Sequence, residues 1–139
     1  MRFMAIIKAT ADTEAGVLPT EAQLNEMGKF NAELVKAGVL LAGEGLHASS
    51  TGARVKFEGE KRTVVDGPFA ETKELIAGFW LLDVKSIDEA VEWVKRVPNF
   101  DGGESEIEIR RVFEAEDFGV EFTPEARAAE ASLREQIGG

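Results

Sequence analysis

Nine consecutive residues, Asp66-Gly67-Pro68-Phe69-Ala70-Glu71-Thr72-Lys73-Glu74, gather four ionisable side chains, a Gly-Pro bend and one aromatic between two strand-like runs. A strand connection does not need this much charge and turn chemistry. As a plain turn the stretch is well made: Gly67 accepts unusual backbone angles, Pro68 fixes the next φ, and Asp66 is a common turn opener. As a site, the same bend carries the Asp66 carboxylate from a strand end into a cleft. Partial burial there raises a carboxyl pKa and suits the group to general-base work or ligand anchoring. Lys73 then holds an anionic substrate, Glu71 exchanges protons, and Pro68 and Phe69 line the pocket. The plainer alternative has Glu71, Lys73 and Glu74 bridging one another.

The chain has one histidine, His47, so any step that needs an imidazole at neutral pH falls to it. It follows Gly43-Glu44-Gly45-Leu46 at a strand exit, where small residues let another group approach. Glu44 before it and the Ser49 hydroxyl after it are candidate substrate contacts, with the Ser50 hydroxyl alongside; a solvated loop histidine is the competing reading. Ser49, His47 and Asp66 spell a nucleophilic triad, but the Gly-x-Ser-x-Gly elbow that would set its geometry is absent. With no cysteine in the chain, disulfides, thiolate metal sites and a cysteine nucleophile are excluded. A zinc site would rest on one histidine and carboxylates, which is a poor ligand set. Neither the phosphate-loop pattern nor the dinucleotide fingerprint occurs. No metal and no cofactor is expected. Trp80 and Trp93 read as core residues, with Phe79 or Trp80 as a candidate pocket floor.

The elements that must position these groups are legible from periodicity. Arg2 to Ala9 is apolar on both faces and suits a strand in mid-sheet. Residues 11–18 read as a polar loop. Thr20 and Gln23 have capping-box spacing, Leu24, Met27, Phe30 and Leu34 recur at helical intervals, and Gly38 ends a helix predicted over residues 20–37. Val39 to Leu46 is a second strand. Arg54 to Glu58, the turn Gly59-Glu60 and Arg62 to Asp66 make a hairpin. Ile76 to Val84 is the most apolar run and a central strand. Ser86 and Glu89 cap a second helix that Pro98 stops. Ser105 to Phe113 alternates as a strand with one wet face, and Thr123-Pro124 opens a last helix with a thin apolar stripe.

The order is an α+β, ferredoxin-like βαββαβ sandwich with an inserted β-hairpin and a C-terminal helix. Residues 1–115 form the domain and 116–139 a helical extension lying on the surface or across a partner chain. Both helices cover one face of the sheet. The other face needs a cover, and a second copy of the same sheet supplies it, giving a homodimeric α+β barrel. At 139 residues and a net charge of −10 the chain is one domain with an acidic surface. Between Asp101 and Glu125 nine acidic residues face two arginines. Without a basic patch, nucleic acid is not an expected partner. No run reaches the roughly 20 apolar residues of a membrane span, so a soluble cytoplasmic protein is expected.

Read together, Arg2-Phe3-Met4, Gly43-Glu44-Gly45-Leu46-His47, the nine-residue stretch from Asp66, Gly78-Phe79 and the closing strand from Glu106 to Phe113 resemble the DGPF-domain branch of the YciI-like family over roughly residues 1–115. The resemblance implies a ferredoxin-like fold, a dimeric α+β barrel, a cleft lined by the signature segment and an unsettled activity. Wider YciI-like proteins carry a histidine–aspartate pair proposed as catalytic; here it would fall on His47 and Asp66, with the histidine outside the first helix region. Some relatives occur beside extracytoplasmic-function sigma factors, which implies a regulatory context. Two functions follow. One is a general acid/base enzyme of isomerase or lyase type acting on a small organic molecule, with Asp66 or His47 as base and Lys73 as anchor. The other is a non-catalytic ligand-binding or regulatory homodimer.

Overall fold

The computed structural model describes residues 1–100 and 103–138. Strand β1 (Arg2–Lys8) leads through the short helix α1 (Ala11–Glu14) into the long helix α2 (Glu21–Lys36) and strand β2 (Leu40–Gly45). A hairpin of β3 (Ala53–Glu58) and β4 (Lys61–Asp66) precedes β5 (Ile76–Asp83). Helix α3 (Ile87–Val94), strand β6 (Ile107–Arg111) and helix α4 (Pro124–Gln136) complete the order. Helix α1 corrects the expectation of a loop over residues 11–18. Thr10 and Thr13 satisfy each other's backbone amides in a reciprocal cap, which nucleates a turn that hydrophobic periodicity does not reveal.

Helix α2 starts as its spacing predicts. The Gln23 amide donates to Thr20 Oγ1 (3.2 Å) and the Thr20 amide to Gln23 Oε1 (2.9 Å). Its C-cap is Ala37, one residue before the expected Gly38. Gly38 follows at φ +74°, the left-handed conformation that closes many helices. Phe30 and Leu34 are buried and Met27 packs against them, whereas Leu24 is 58% exposed because the helix meets the sheet only from Met27 onward. In α3 the Ser86 hydroxyl accepts from the Glu89 amide (3.2 Å), but the Glu89 carboxylate takes the Lys85 amide (2.8 Å), so the expected capping box is one-sided.

β1, β2, β5 and β6 form one antiparallel sheet in the order β2-β5-β1-β6. The α+β architecture and this order are compatible with a ferredoxin-like arrangement. Phe3, Ala5, Trp80 and Leu82 point to one face and form the core with Phe30, Leu34 and Ala90 of the two helices. Trp80 meets the Phe30 ring edge-on at 5.6 Å and donates to Asn31 Oδ1 (2.9 Å), so its indole N–H is satisfied where it is buried. The opposite face carries two cross-strand rows, Ala42-Leu81-Met4-Arg110 and Glu44-Phe79-Ile6-Glu108. None of these side chains is buried.

The hairpin stands apart as a two-stranded sheet, with Val55, Phe57 and Val64 exposed. The C-terminal segment is tied back by a two-point pair in which Arg2 Nε and an Arg2 terminal nitrogen donate to the two Glu114 oxygens (2.8 and 3.1 Å). The bonded partner raises the Arg2 pKa and lowers that of Glu114. Beyond it Phe113 stacks on Phe118, which meets Phe122 edge-on, and α4 contributes no buried residue. Leu34→Ala is therefore expected to cost about 2–5 kcal/mol, while Leu133→Ala in α4, 62% exposed, stays within about 0.5 kcal/mol; urea unfolding of both variants checks the difference.

Candidate functional site

One end of the sheet collects the candidate residues. β1 and β2 finish there and β5 and β6 begin there, as antiparallel pairing requires. The Lys8 amide donates to the Glu106 carbonyl (3.2 Å), the Ala9 amide to the Leu75 carbonyl (3.0 Å), and the Leu46 amide to the Ala77 carbonyl (2.8 Å). These bonds hold three loops together: residues 9–14 after β1, 46–52 after β2, and the signature stretch before β5.

The His47–Gly52 loop and the Asp66 bend meet, which the sequence left open. The Gly67 amide donates to the Gly52 carbonyl (2.9 Å) and the Phe69 amide to Ser49 Oγ (3.1 Å). The Gly67–Pro68 peptide is cis. A Cβ at Gly67 would lie 1.7 Å from the Ser49 carbonyl oxygen, so only glycine lets the two backbones approach this closely.

Ser49 is held in turn by Glu14. Its amide donates to Glu14 Oε2 (3.0 Å) and its hydroxyl to Glu14 Oε1. The Ser49 hydroxyl bond and then its amide bond lower the Glu14 pKa, against a smaller opposing effect of desolvation. Glu14 was missed by the sequence reading; its only local signal is the Thr10–Thr13 cap that builds α1. The Ser49 hydroxyl, expected to contact substrate, links Glu14 to Phe69. It does not bond His47, so the triad spelled by Ser49, His47 and Asp66 is not assembled.

Asp66 ends β4 and is exposed, not partly buried as expected, because no described element covers that hairpin face. His47 is exposed too, and neither side chain has a hydrogen bond or ion pair among the described residues. Glu44 is exposed on the open sheet face opposite Phe79. Pro68 is exposed, while Phe69 is partly covered by the Arg54 guanidinium, 3.9 Å above its ring, an arrangement that joins hairpin to signature. Trp80, a candidate pocket floor, is 5% exposed and belongs to the core; Phe79 lies on the open face.

Glu71, Lys73 and Glu74 form no ion pairs with one another among the described residues. Lys73 instead walls a cleft of about 460 Å³ with Lys8, Thr10, Glu104, Ser105 and Glu106. Lys8 has a long pairing to Glu108 (3.9 Å); Lys73 has none among the described residues. Two ammonium groups, two hydroxyls and two carboxylates can hold a polar molecule bearing an acid group and supply proton donors and acceptors beside it. Among the described residues no three histidine, aspartate or glutamate side chains converge as a metal site. No helix there is long and apolar enough to cross a membrane.

The model of the YCII-related domain family matches residues 1–116, and the chain belongs to that family. An uncharacterized protein of Rhizobium meliloti (strain 1021) is similar, 31% identical over 90 residues that cover 65% of this chain and 73% of that protein.

Because the folded Glu14 pKa is lowered, its clamp on Ser49 is complete above the ordinary glutamate value of 4.5 and is lost as pH falls through the lowered folded value. The Ser49 and Phe69 amide resonances followed from pH 7 to pH 2 are expected to shift together below pH 4.5. Titration of the two amides at separate midpoints contradicts the clamp.

Proposed function

We propose that this YCII-related protein is a homodimer that binds a small organic acid in the cleft walled by Lys73. The observation that carries the reading is the signature lysine itself, which lines this cleft and has no ion-pair partner among the described residues. An ammonium free of internal carboxylates is available to a ligand carboxylate, and a charge-assisted bond of this type contributes about 1.5–3 kcal/mol. Thr10 and Ser105 offer hydroxyls in the same wall.

The dimer reading rests on the open sheet face. Met4, Ile6, Phe79 and Leu81 form an apolar centre bounded by Glu44, Glu108 and Arg110. A surface of this kind is covered in stable proteins, and a second copy packed face to face closes the dimeric α+β barrel. The signature clefts then lie at the ends of that barrel.

Catalysis is the second reading, favoured by Glu104 and Glu106 in the same cleft as Lys73. A carboxylate beside an anchored acid can move a proton in an isomerase- or lyase-type reaction. For Asp66 and His47 to take part, ligand binding or the second chain must bring them to the cleft. Without turnover the same anchor serves a regulatory dimer, including one acting beside a sigma factor.

Calorimetric titration with a panel of small mono- and dicarboxylates tests the site. Wild type is expected to bind at least one, and Lys73→Ala to weaken that binding about tenfold or more; no binding by wild type sinks the reading. Glu106→Gln, with affinity kept and turnover lost, selects the enzyme over the binding protein. Leu81→Glu is expected to yield a monomer by light scattering, and an unchanged mass would show that this face is not the interface.

A further inference from the structure

Two stretches distant in sequence, Ala9–Glu14 and Phe69–Leu75, are tied to each other at both ends. At one end the Ala9 amide donates to the Leu75 carbonyl (3.0 Å). At the other the Glu14 carboxylate accepts both Ser49 donors, and Ser49 Oγ accepts the Phe69 amide. Between these ties Thr10 on one stretch and Lys73 on the other line the same cleft. The two stretches make a frame, and Ala9, Thr10 and Lys73 from it line the cleft together with Lys8 and residues 104–106.

We propose that Glu14 is a positioning residue for the ligand site: it fixes Ser49, Ser49 fixes Phe69, and that chain of bonds sets the turn that carries Lys73. This rests on the reading of the Lys73 cleft as the ligand site. A serine hydroxyl has one proton to donate and lone pairs to accept with. The proton goes to Glu14, which leaves the lone pairs oriented for the Phe69 amide. A carboxylate can accept from the Ser49 amide and hydroxyl at once; glutamine of the same shape would set an NH2 against one of those donors. The tie at the Ala9 end is backbone to backbone, and so are the bonds within the turn, Glu74 amide to Glu71 carbonyl (2.9 Å) and Leu75 amide to Thr72 carbonyl (3.0 Å). Among the described residues the Glu14–Ser49 end is where side chains make the tie, so a substitution of Glu14 or Ser49 releases that end directly.

Amide hydrogen exchange on the full chain at pH 7 tests this in wild type, Glu14→Gln, Ser49→Ala and Ser49→Thr. In the first two variants the Phe69 amide is expected to exchange at least tenfold faster. Glu74 and Leu75, whose amides bond neither Glu14 nor Ser49, should accelerate with it, while Val84 in the core stays protected. Ser49→Thr, which keeps the hydroxyl, should restore the wild-type pattern. Acceleration confined to Phe69, or disagreement between Glu14→Gln and Ser49→Ala, overturns the positioning role. Succinate affinity supplies a second readout: a fall of about tenfold in Glu14→Gln supports the role. Equal affinity in wild type and Glu14→Gln, with loss in Lys73→Ala, overturns it. If wild type takes up no succinate, binding by this probe at the cleft fails, and the exchange pattern still decides whether Glu14 holds the turn.

Discussion

β1 is apolar on both of its faces, and a strand can hide only one set of alternating side chains beneath a single layer of helices. Helices α2 and α3 take Phe3 and Ala5 together with Trp80 and Leu82 from β5. Met4 and Ile6, with Phe79 and Leu81, are left on the far side, partly covered by one another and by nothing larger. Full burial of an aliphatic or aromatic side chain is worth about 1.5–3 kcal/mol, so four of them side by side make a strong incentive for association. In the proposed dimer, Glu108 and Arg110 at the margin of that patch would set its orientation through charge and add little to its strength.

With one face taken by the helices and the other proposed as the interface with a second sheet, the ends and edges of the sheet are what is left for the proposed binding site. The end where β1 and β2 finish is suited to it for a topological reason: three loops and the start of β6 converge there, each contributing polar side chains from a rigid strand terminus. Convergence alone does not fix geometry. The backbone bonds from Lys8, Ala9 and Leu46 hold the roots of the loops, and the Glu14–Ser49–Phe69 chain holds the start of the signature turn, which lies outside the strand ladder.

Much of this fold was legible in local pattern. The Thr20–Gln23 reciprocal cap, the helical spacing of Met27, Phe30 and Leu34, and the alternation of β3 against β4 each depend on neighbours a few residues away, and each appears close to where its spacing puts it. Of the candidate site, the signature stretch marked Lys73 as an anchor for an anion, with bridging to its neighbouring carboxylates as the plainer alternative, and Lys73 lines the cleft. Glu14, Lys8 and Glu106 carried no such mark. Glu14 meets Ser49 across 35 positions of sequence, and the cleft residues meet only when β1, β6 and the signature turn are assembled. Asp66 was misread for the same reason. A carboxylate at a strand end is buried or exposed according to what covers the strand, and nothing described covers this hairpin. Ser49 shows the limit most plainly: its type allowed a nucleophile, a ligand contact or a structural link, and its bonds to Glu14 and Phe69 appear only in the folded chain.

Charge then shapes what the cleft can select. The chain carries a net charge of −10, so its long-range field repels anions instead of steering them in. At physiological ionic strength that field fades over a Debye length of about 8 Å, and inside the cleft the ammonium groups of Lys8 and Lys73 are closer than the remote carboxylates. Glu104 and Glu106 share the walls, which leaves the lining without net charge. In the proposed site, recognition would therefore come from placement, an acid group set against Lys73 and hydrogen-bonding groups set against the hydroxyls and carboxylates. A highly charged anion gains least from such a lining, because part of it faces Glu104 or Glu106. A small acid that also carries hydrogen-bond donors gains most. That selectivity depends on where Lys73 stands relative to β1 and β6, and so on the bonds that hold its turn.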